Sequence, residues 1–586
     1  KNKLTEFHKK ISQLKFLDPA CGCGNFLVIT YRELRLLELE ILRASYKNGQ
    51  GVLDVSDIIW LDVDMMYGIE YEEFPARIAE VAMWLIDHQM NMLISNEFGQ
   101  YFARLPLKKS AKIVHGDALE VDWENVVSKN DLSYIIGNPP FIGSKIMSQF
   151  QRDQIVREFE NIKGSGVLDY VTGWYLKAAK YIENTKIKVA FVSTNSIVQG
   201  EQTSILWGQM LNKYGIKIHF AHRTFKWSNE AKGNAAVYCV IVGFANYDSI
   251  NKRIFEYEDI KGEAHELKVK NINPYLVDAK DILIEKKSNP ICNVPKMSFG
   301  NMPLDGGHLL LSDDEKMNLL TKEPNADKFI YPLISAQEFL NGQKRWCLWL
   351  LDAEPKELKQ LPEVLKRIEL VRQFRLNSIA PSTQKFSLTP SLFRDKNQPE
   401  SYILIPSTTS ENRKYIPMGL FGKNDIANNS CHTVPNGNLF HFGVLMSAMH
   451  MAWVKTLCGR LKSDFRYSKD NVYNNYPWPE NPSDKQIKTI EEKAQLKHWL
   501  VNANLGENNY KENIEKIFNG SNRYDMMLNV DVMQKQAKIY VLERGVTIYE
   551  YRTERKEIVI YAVLRDIIGI ISDTFIRDSY VDEKGY

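Results

Sequence analysis

Ile135-Ile136-Gly137-Asn138-Pro139-Pro140-Phe141 is the stretch around which the chain is organised. Its apolar start predicts a short buried strand. The two prolines predict a rigid loop at the end of that strand, because proline fixes φ and removes a backbone donor. A side-chain amide, a fixed carbonyl and an aromatic ring together offer two acceptors and a stacking face to a planar ring that carries an amino group. A plain Asn-Pro turn after a strand is the alternative interpretation, and the stretch alone does not decide between them.

The composition is that of a globular protein. The chain has 586 residues, 44% of them hydrophobic and 25% charged, and such a length predicts about three or four domains. The net charge of +3 is nearly balanced, so a nucleic-acid surface would be a local patch. No run of about 18 apolar residues is present, and we expect no membrane span. The sequence begins without an initiator Met or a signal-peptide pattern, and we expect a fragment or a processed piece.

Cysteine usage predicts a reducing, cytoplasmic setting. The seven cysteines are scattered along the chain, which does not indicate a disulfide scaffold. Cys21 and Cys23 are separated by one residue, but no second pair of cysteines lies at the spacing of a zinc site. We therefore expect no metal.

A strand, a glycine turn and a helix are predicted near the start of the chain. The strand Leu14–Leu17 precedes Asp18-Pro19-Ala20-Cys21-Gly22-Cys23-Gly24-Asn25-Phe26, and a helical pattern follows to about Leu42. Such a turn lets a ligand approach the backbone at a helix N-terminus. The next predicted strand ends at Glu70, an acid suited to ribose hydroxyls. The spacing between them exceeds the usual value of about 20 residues, and we attribute the excess to an insertion around 44–64.

Helices and strands then alternate. A helix is predicted at Glu72–Met90, and its apolar residues at helical spacing are predicted to lie in the core: Ile78, Val81, Ala82 and Leu85. The third strand leads to Asp117, which could accept a hydrogen bond from an adenine amino group or cap a helix. Further strands are predicted at Ile187–Val192, Ile216–Ala221 and Ala235–Phe244. The pattern predicts a Rossmann-like α/β fold with seven strands in a mainly parallel sheet and helices on both faces.

Four of these segments, in their order along the chain, resemble the motifs of one enzyme family. The segments are Asp18-Pro19-Ala20-Cys21-Gly22-Cys23-Gly24-Asn25-Phe26, Gly68-Ile69-Glu70, Gly116-Asp117-Ala118 and Asn138-Pro139-Pro140-Phe141. They are similar to motifs of class I, S-adenosylmethionine-dependent DNA adenine-N6 methyltransferases with the gamma-type motif order. More narrowly, the chain resembles the methyltransferase and target-recognition portion of single-polypeptide type II restriction–modification enzymes. The resemblance covers about Ser12–Phe244 and extends less strongly to Pro479.

The resemblance implies a role for each matching residue. The set expected to bind S-adenosylmethionine comprises Asp18, Ala20, Gly22, Gly24, Asn25, Phe26, Glu70, Tyr71, Asp117, Ala118 and Asn138. The set expected to hold a flipped-out adenine in double-stranded DNA comprises Asn138, Pro139, Pro140 and Phe141. The run Phe225-Lys226-Trp227-Ser228-Asn229-Glu230-Ala231 resembles the late motif beside the flipped base. Both Phe225 and Trp227 are therefore expected to contact DNA, and one or the other is expected on the far side of the base.

The same resemblance implies a division of the chain and a DNA partner. We expect a catalytic domain at 1–245, a connector at 246–299, a target-recognition domain of α+β type at 300–480 and a C-terminal extension at 481–586. Cations interleaved with aromatic residues suit a phosphate backbone with exposed bases. The residues of this kind form one expected DNA-binding patch: Arg460, Lys462, Arg466, Tyr467 and Lys469. Further cations could add contacts: Lys385, Arg394 and Arg413.

Other functions remain open at this stage. In the related restriction enzymes a nuclease precedes the methyltransferase, and because no credible nuclease cluster is found here we expect no cleavage by this chain alone. Cytosine-C5 transfer requires a nucleophilic cysteine after a proline, and none of the seven cysteines follows one. Cytosine-N4 transfer, RNA or protein-glutamine methylation, and a DNA-binding specificity module with an inactive cofactor fold are the alternatives.

Overall fold

The structure is a computed structural model that describes residues 2–46, 54–102, 104, 110–227, 237–257, 262–461 and 463–503. Two compact units divide the chain, Lys1–Glu285 and Lys286–Tyr586. The segment 504–586, where we predicted strands and a last helix, lies outside the described residues. None of the described helices combines the length and the apolar character that a membrane crossing requires.

A single large sheet forms the centre of the first unit. Its described strands are β1 Phe16–Asp18, β2 Met66–Glu70, β3 Lys112–His115, β4 Tyr134–Gly137, β5 Lys188–Thr194, β6 Lys217–Trp227, β7 Val237–Ala245, β8 Lys252–Tyr257 and β9 Ala264–Val269. They lie in the order β3-β2-β1-β4-β5-β7-β6-β8-β9. The first five run parallel and β7 runs antiparallel to its neighbours β5 and β6. The predicted α/β class with a mainly parallel sheet is thereby confirmed.

Two strands extend the sheet beyond the seven that we predicted. β8 pairs parallel with β6, and β9 pairs antiparallel with β8. Both belong to the segment that we predicted as a connector. They were not assigned to the sheet because β9 is exposed along most of its length, and such a strand lacks the buried apolar run that identifies a sheet strand in a sequence.

The helices of the first unit pack on both faces of the sheet. Their described bounds are α1 Asn2–Ser12, α2 Asn25–Ser45, α3 Glu73–Phe98, α4 Gln149–Glu158, α5 Thr172–Tyr181 and α6 Gly200–Gly208. One large core contains Leu17, Ile135 and Val189 from the sheet together with Tyr175 from α5. A second core joins α2 and α3 to the other face, where Leu27 contributes.

The prediction for the buried face of α3 was wrong. Val81 is 53% exposed and Leu85 is 57% exposed. The helix instead buries Ala79, Met83 and Ile86. Apolar side chains surround most of this helix, so their spacing alone did not identify the stripe that faces the sheet.

In the part of the second unit that the structure describes, three smaller sheets have helices around them, as expected for an α+β domain. Its described strands are β10 Ser298–Phe299, β11 Leu310–Leu311, β12 Ile330–Ile334, β13 Trp346–Leu348, β14 Ser401–Pro406, β15 Thr408–Thr409, β16 Gly419–Gly422, β17 Ile426–Ala427, β18 Cys431–Pro435, β19 Gly459–Leu461 and β20 Asp464–Arg466. Its described helices are α7 Asp313–Lys322, α8 Ala336–Asn341, α9 Pro355–Leu358, α10 Pro362–Leu376, α11 Pro381–Gln384, α12 Leu439–Leu445, α13 Ala448–Leu457 and α14 Asp484–Ala503. The sheets are ordered β10-β18-β14-β16, β11-β13-β12-β17 and β15-β20-β19.

Candidate active site

The carboxyl ends of β1, β2 and β4 meet at one edge of the large sheet. β1 lies between β2 and β4, so the strand order reverses there, and this is where open α/β sheets bind ligands. Leu17 is aligned with Ile135 in the β1–β4 pair. Beyond this pair, where each strand ends, a Cβ added to Gly137 would lie 2.6 Å from Oδ1 of Asp18. Asn138 therefore starts its loop next to a residue that contacts Asp18 and Pro19, the two residues before the glycine turn.

The glycine turn leaves room for a ligand at the start of α2. Gly22 has φ +55° and Gly24 has φ +85°, values that favour glycine. A Cβ on Gly22 would meet nothing within 4 Å, whereas a Cβ on Gly24 would lie 3.1 Å from that of Ala79. No described side chain caps the N-terminus of α2. Free N–H groups and the helix dipole at such a terminus suit a carboxylate.

Two carboxyl groups border this turn. Asp18 is 1% exposed, and its Oδ1 accepts a hydrogen bond from the N–H of Ala20 at 3.0 Å. Burial raises the pKa of Asp18 to about 7, and the nearby Glu70 contributes in the same direction. Glu70 itself accepts from the N–H of Gly22 at 2.8 Å and from the N–H of Glu72 at 3.0 Å. Its carboxylate thus joins the end of β2 to the glycine turn and retains lone pairs for a ligand.

Asp117 follows β3 at the same edge and is half-buried. Its Oδ1 accepts from the N–H of Leu119 at 2.9 Å, and its Oδ2 accepts from Nε2 of Gln154 at 2.8 Å. The other residues that we predicted at the cofactor follow the same strand ends: Ala20 is half-buried, Asn25 is exposed, Phe26 is half-buried, Tyr71 is 64% exposed and Ala118 is buried.

The loop after β4 presents an available amide. Asn138 is exposed, and within the described part of the chain nothing hydrogen-bonds to its carboxamide. Pro139 is buried, while Pro140 and Phe141 are half-buried. The amide of Asn138 is therefore accessible from solvent, and the ring of Phe141 is partly so.

Residues that sequence reasoning missed support this loop and the start of the glycine turn. The N–H of Tyr170 donates to the carbonyl of Ile142 at 2.9 Å. Oδ1 of Asp169 accepts from the N–H of Ser144 at 3.1 Å. Nε1 of Trp174 donates to the carbonyl of Pro19 at 2.9 Å. These residues lie at and just before α5, and nothing in their sequence pattern marked them.

An aromatic cluster lies at the carboxyl ends of β6 and β8. Phe225, which we expected beside a base, is half-buried, and its ring centroid lies 5.4 Å from that of Tyr257. His222 hydrogen-bonds through Nδ1 to the Tyr257 hydroxyl at 2.8 Å and stacks on Phe255 with centroids 4.3 Å apart. Burial lowers the pKa of His222. The side chain of Trp227 lies outside the described structure.

The expected DNA-binding patch of the second unit is only partly at the surface. Arg466 is exposed and Lys469 is half-buried with its Nζ 2.6 Å from Oδ1 of Asp470. Arg460 lies 3.8 Å over the ring of Phe465. The prediction for Tyr467 was wrong, because this residue is 3% exposed.

The hydroxyl of Tyr467 forms a hydrogen bond of 3.0 Å with Nε2 of His450, inside the unit.

The remaining cations of the sequence prediction differ in exposure. Lys462 lies outside the described residues. Of the additional cations, Lys385 is exposed, Arg394 is exposed beside Asp395, and Arg413 is half-buried.

Models of two related domains match the chain. Residues 1–256 match the DNA-methyltransferase domain of MmeI. Residues 278–480 match the target recognition domain of MmeI.

Two individual proteins are similar to the chain over most of its length. DNA methyltransferase A of Bacillus subtilis (strain 168) is 41% identical over 483 residues, which are 82% of this chain and 54% of that protein. The chain therefore spans about half the length of this curated relative. The type IIL restriction–modification enzyme MmeI, whose structure was solved in complex with DNA, is 45% identical with a TM-score of 0.79, and the match covers 97% of this chain and 75% of that one.

Proposed function

The chain belongs to the family of the MmeI DNA methyltransferase and its target recognition domain, and from this premise we propose that it methylates adenine at N6 within a specific sequence of double-stranded DNA. S-adenosylmethionine is the proposed methyl donor. The chain would act as the modifying part of a restriction–modification system. The relative MmeI is itself a restriction–modification enzyme studied with bound DNA.

One observation carries this proposal: an amide without a partner among the described residues lies directly beside the glycine turn. The added Cβ of Gly137 would lie 2.6 Å from the Asp18 carboxylate, and this close approach supports a single site formed by the Asn138 loop and the turn. A methyl donor in the turn and an amino group at Asn138 would then be neighbours. Positioning of this kind is the main source of rate for a direct transfer between two bound partners.

The residues at the turn fit the proposed donor. The uncapped N-terminus of α2 and the open side of Gly22 suit the carboxylate of a methionine. Asp18 would favour the ammonium group of that methionine, Glu70 the ribose, and Asp117 the adenine amino group. When bound, S-adenosylmethionine supplies an electrophilic methyl group.

The base would be held from three sides. The Asn138 carboxamide and the Pro139 carbonyl would accept hydrogen bonds from the amino group and direct its lone pair toward the methyl group. Phe141 would stack on the ring, and Phe225 would lie on its other face. Extrusion of a base costs a few kcal/mol, which stacking on an aromatic side chain offsets by about 1–3 kcal/mol. No covalent bond to the chain is required.

The second unit would supply the sequence specificity. Its match to a target recognition domain and the exposed Arg466 at the end of β20 support contact with the phosphate backbone. Backbone contacts position a protein on DNA, and contacts to base edges specify the sequence.

Transfer of tritium-labelled methyl groups tests the proposal. The chain is incubated with labelled S-adenosylmethionine and with DNA, RNA or protein, and the product nucleoside is identified by mass spectrometry. We expect N6-methyladenine in DNA, lost in Asn138→Ala and retained in Asn130→Ala, a control at an exposed asparagine before β4. N4-methylcytosine, or label in RNA or protein, would refute the proposed substrate. DNA binding without label would indicate a specificity module. Sequencing of modified DNA then identifies the recognition site.

A further inference from the structure

Three hydrogen bonds, made by Gln154 and by the hydroxyl and the backbone N–H of Tyr170, connect Asp117 to the segment that follows Phe141. Oδ2 of Asp117 accepts from Nε2 of Gln154 at 2.8 Å, and Oε1 of Gln154 accepts from the hydroxyl of Tyr170 at 2.7 Å. The N–H of Tyr170 then donates to the carbonyl of Ile142 at 2.9 Å. Ile142 is the residue after Phe141, so the path runs from the edge of β3 to the loop of β4.

The orientation of the Gln154 amide in this path is determined by its neighbours. Its Nε2 also donates to Oε1 of Glu120 at 2.8 Å, so the amino group faces two carboxylates. A flipped amide would place its oxygen against both carboxylates and would lose both donations. Gln154 is 2% exposed and Tyr170 is 6% exposed. The bond between Gln154 and the Tyr170 hydroxyl is buried and costly to break, because a donor or acceptor released there has no water to replace its partner.

Tyr170 is restrained at both of its ends. Its ring packs edge-on against Trp174 with centroids 5.1 Å apart. Trp174 in turn donates to the carbonyl of Pro19 in the glycine turn. Tyr170 thus contacts Trp174, which supports the glycine turn, and it binds the loop directly through its own N–H. Its hydroxyl donates to Gln154.

We propose that Gln154 and Tyr170 are positioning residues that couple the cofactor site to the base-binding loop. The inference rests on the proposed function, in which Asp117 borders the cofactor adenine and the residues from Asn138 to Phe141 hold the base. A ligand that restrains Asp117 restrains Gln154, Tyr170 and Ile142 in turn. The ordering of the loop is then already complete when DNA arrives, so cofactor and DNA bind more tightly together than separately.

Such a coupling is reciprocal, and this makes it measurable from the cofactor side. The dissociation constant of tritiated S-adenosylhomocysteine is determined by equilibrium dialysis, with and without duplexes amplified from bacterial genomic DNA. Amplified DNA carries no methyl groups, and a mixture of sequences does not require the recognition site to be known. Heparin replaces DNA in a parallel series and reports the effect of polyanion charge alone.

Two variants and one matched control enter the measurement. Tyr170→Phe removes the hydroxyl and keeps the ring. Gln154→Met removes the amide at similar volume. Gln149→Met changes an exposed glutamine on the same helix α4, whose Nε2 bonds only to Asp153 among the described residues. Thermal unfolding of each variant verifies that the fold is retained.

We expect DNA, but not heparin, to tighten cofactor binding in the unmodified chain and in Gln149→Met. The expected factor is about fivefold or more, and fivefold is the lower end of typical couplings. In Tyr170→Phe the factor should fall to about twofold or less while cofactor affinity without DNA stays within about threefold. An equal factor in all four proteins, or no factor in the unmodified chain, would overturn the inference. Methyl transfer is scored separately, so its absence alongside an intact coupling would count against the proposed function alone.

Discussion

Gly137 packs against Asp18 so closely that a side chain at this glycine would collide with the carboxylate. The added Cβ would lie 2.6 Å from Oδ1, 3.4 Å from Cγ and 3.6 Å from Cδ of Pro19. Asp18 is 1% exposed, so chain atoms rather than solvent surround its carboxylate. The ends of β1 and β4 are thereby held in contact at the position where the proposed donor and acceptor sites meet.

Gly137→Ala should consequently disable transfer more than it destabilises the chain. The methyl group forces β1 and β4 apart by a few tenths of an ångström or more, and a displacement of about 1 Å at a reacting group costs about 10²-fold in rate. Single-turnover methylation measures this loss. Gly166→Ala is the control, since a Cβ there would meet nothing within 4 Å. A Gly137→Ala protein within threefold of the parent rate would contradict this account of the contact.

The pKa of Asp18 predicts the pH dependence of cofactor binding. Burial raises this pKa to about 7, so the group is largely protonated below neutral pH. The ammonium group of the cofactor favours the carboxylate, and binding below pH 7 must therefore release a proton. We expect the dissociation constant of S-adenosylhomocysteine to rise as pH falls from 7 to 5, by at most about tenfold per pH unit. Asp18→Asn should bind weakly with a flat profile.

The same shift has a consequence for the stability of the cofactor-free chain. A carboxyl whose pKa is higher in the folded than in the unfolded state stabilises the fold below the unfolded pKa, and this contribution is lost as pH rises through about 7. Urea unfolding at several pH values measures it. In Asp18→Asn the difference between the free energies of unfolding at pH 5 and at pH 8 should become smaller. An unchanged difference would show that the carboxyl of Asp18 is not the group responsible.

The gathering of the motif residues at one edge could be predicted from the sequence. Each of these residues either ends a strand, as Asp18 and Glu70 do, or follows one, as Asp117 and Asn138 do. The carboxyl ends of parallel strands share an edge. The buried side of α3 could not be predicted, because Val81 and Leu85 form a stripe as apolar as the one that packs on the sheet. Which stripe is buried depends on the angle at which α3 meets the sheet, a tertiary property.

The supports of the site were also beyond sequence reasoning. Gln154 and Tyr170 are 16 positions apart and carry no motif; their meeting depends on the packing of α4 against α5. The DNA-binding patch was predicted as one surface, but side chains along a strand alternate between its two faces. In β20 Phe465 points inward, Arg466 outward, and the following Tyr467 inward again.

Arg466 and Arg460 should accordingly respond differently to removal. Arg466 is exposed, and Arg466→Ala should weaken DNA binding and reduce the slope of log affinity against log salt by about 1. Arg460 covers the ring of Phe465 and donates to the carbonyl of Ser463 at 2.9 Å, so Arg460→Ala should chiefly lower the unfolding temperature. Fluorescence anisotropy over a salt series distinguishes them. Equal salt slopes for Arg466→Ala and the parent would exclude a phosphate contact.

Tyr257 should support the ring of Phe225. It ends β8, one of the two strands of the sheet that the sequence did not predict. Aromatic pairs are worth about 0.5–1.5 kcal/mol, which corresponds to about two- to tenfold in an equilibrium. Tyr257→Ala should reduce the equilibrium constant of base extrusion by that factor. The fluorescence of 2-aminopurine at the target position measures the extrusion. Tyr257→Phe keeps the ring and should change it little. A loss of cofactor affinity in Tyr257→Ala that matches the loss of extrusion would indicate general damage instead.

Asp169 offers a test of whether hydrogen bonds or charge hold the Asn138 loop. Its Oδ1 accepts from the N–H of Ser144 at 3.1 Å, and its Oδ2 accepts from the hydroxyl of Ser196. Asp169→Asn can preserve both bonds, because the amide oxygen accepts from Ser144 while the amide N–H donates to a hydroxyl that rotates to accept. Asp169→Ala leaves the N–H of Ser144 without its partner, a loss of about 1–3 kcal/mol. Single-turnover methylation should therefore fall by about five- to 150-fold in Asp169→Ala and by less than about threefold in Asp169→Asn, with cofactor affinity unchanged in both. If the asparagine variant were as slow as the alanine variant, the negative charge of Asp169 rather than its two acceptor positions would hold the loop.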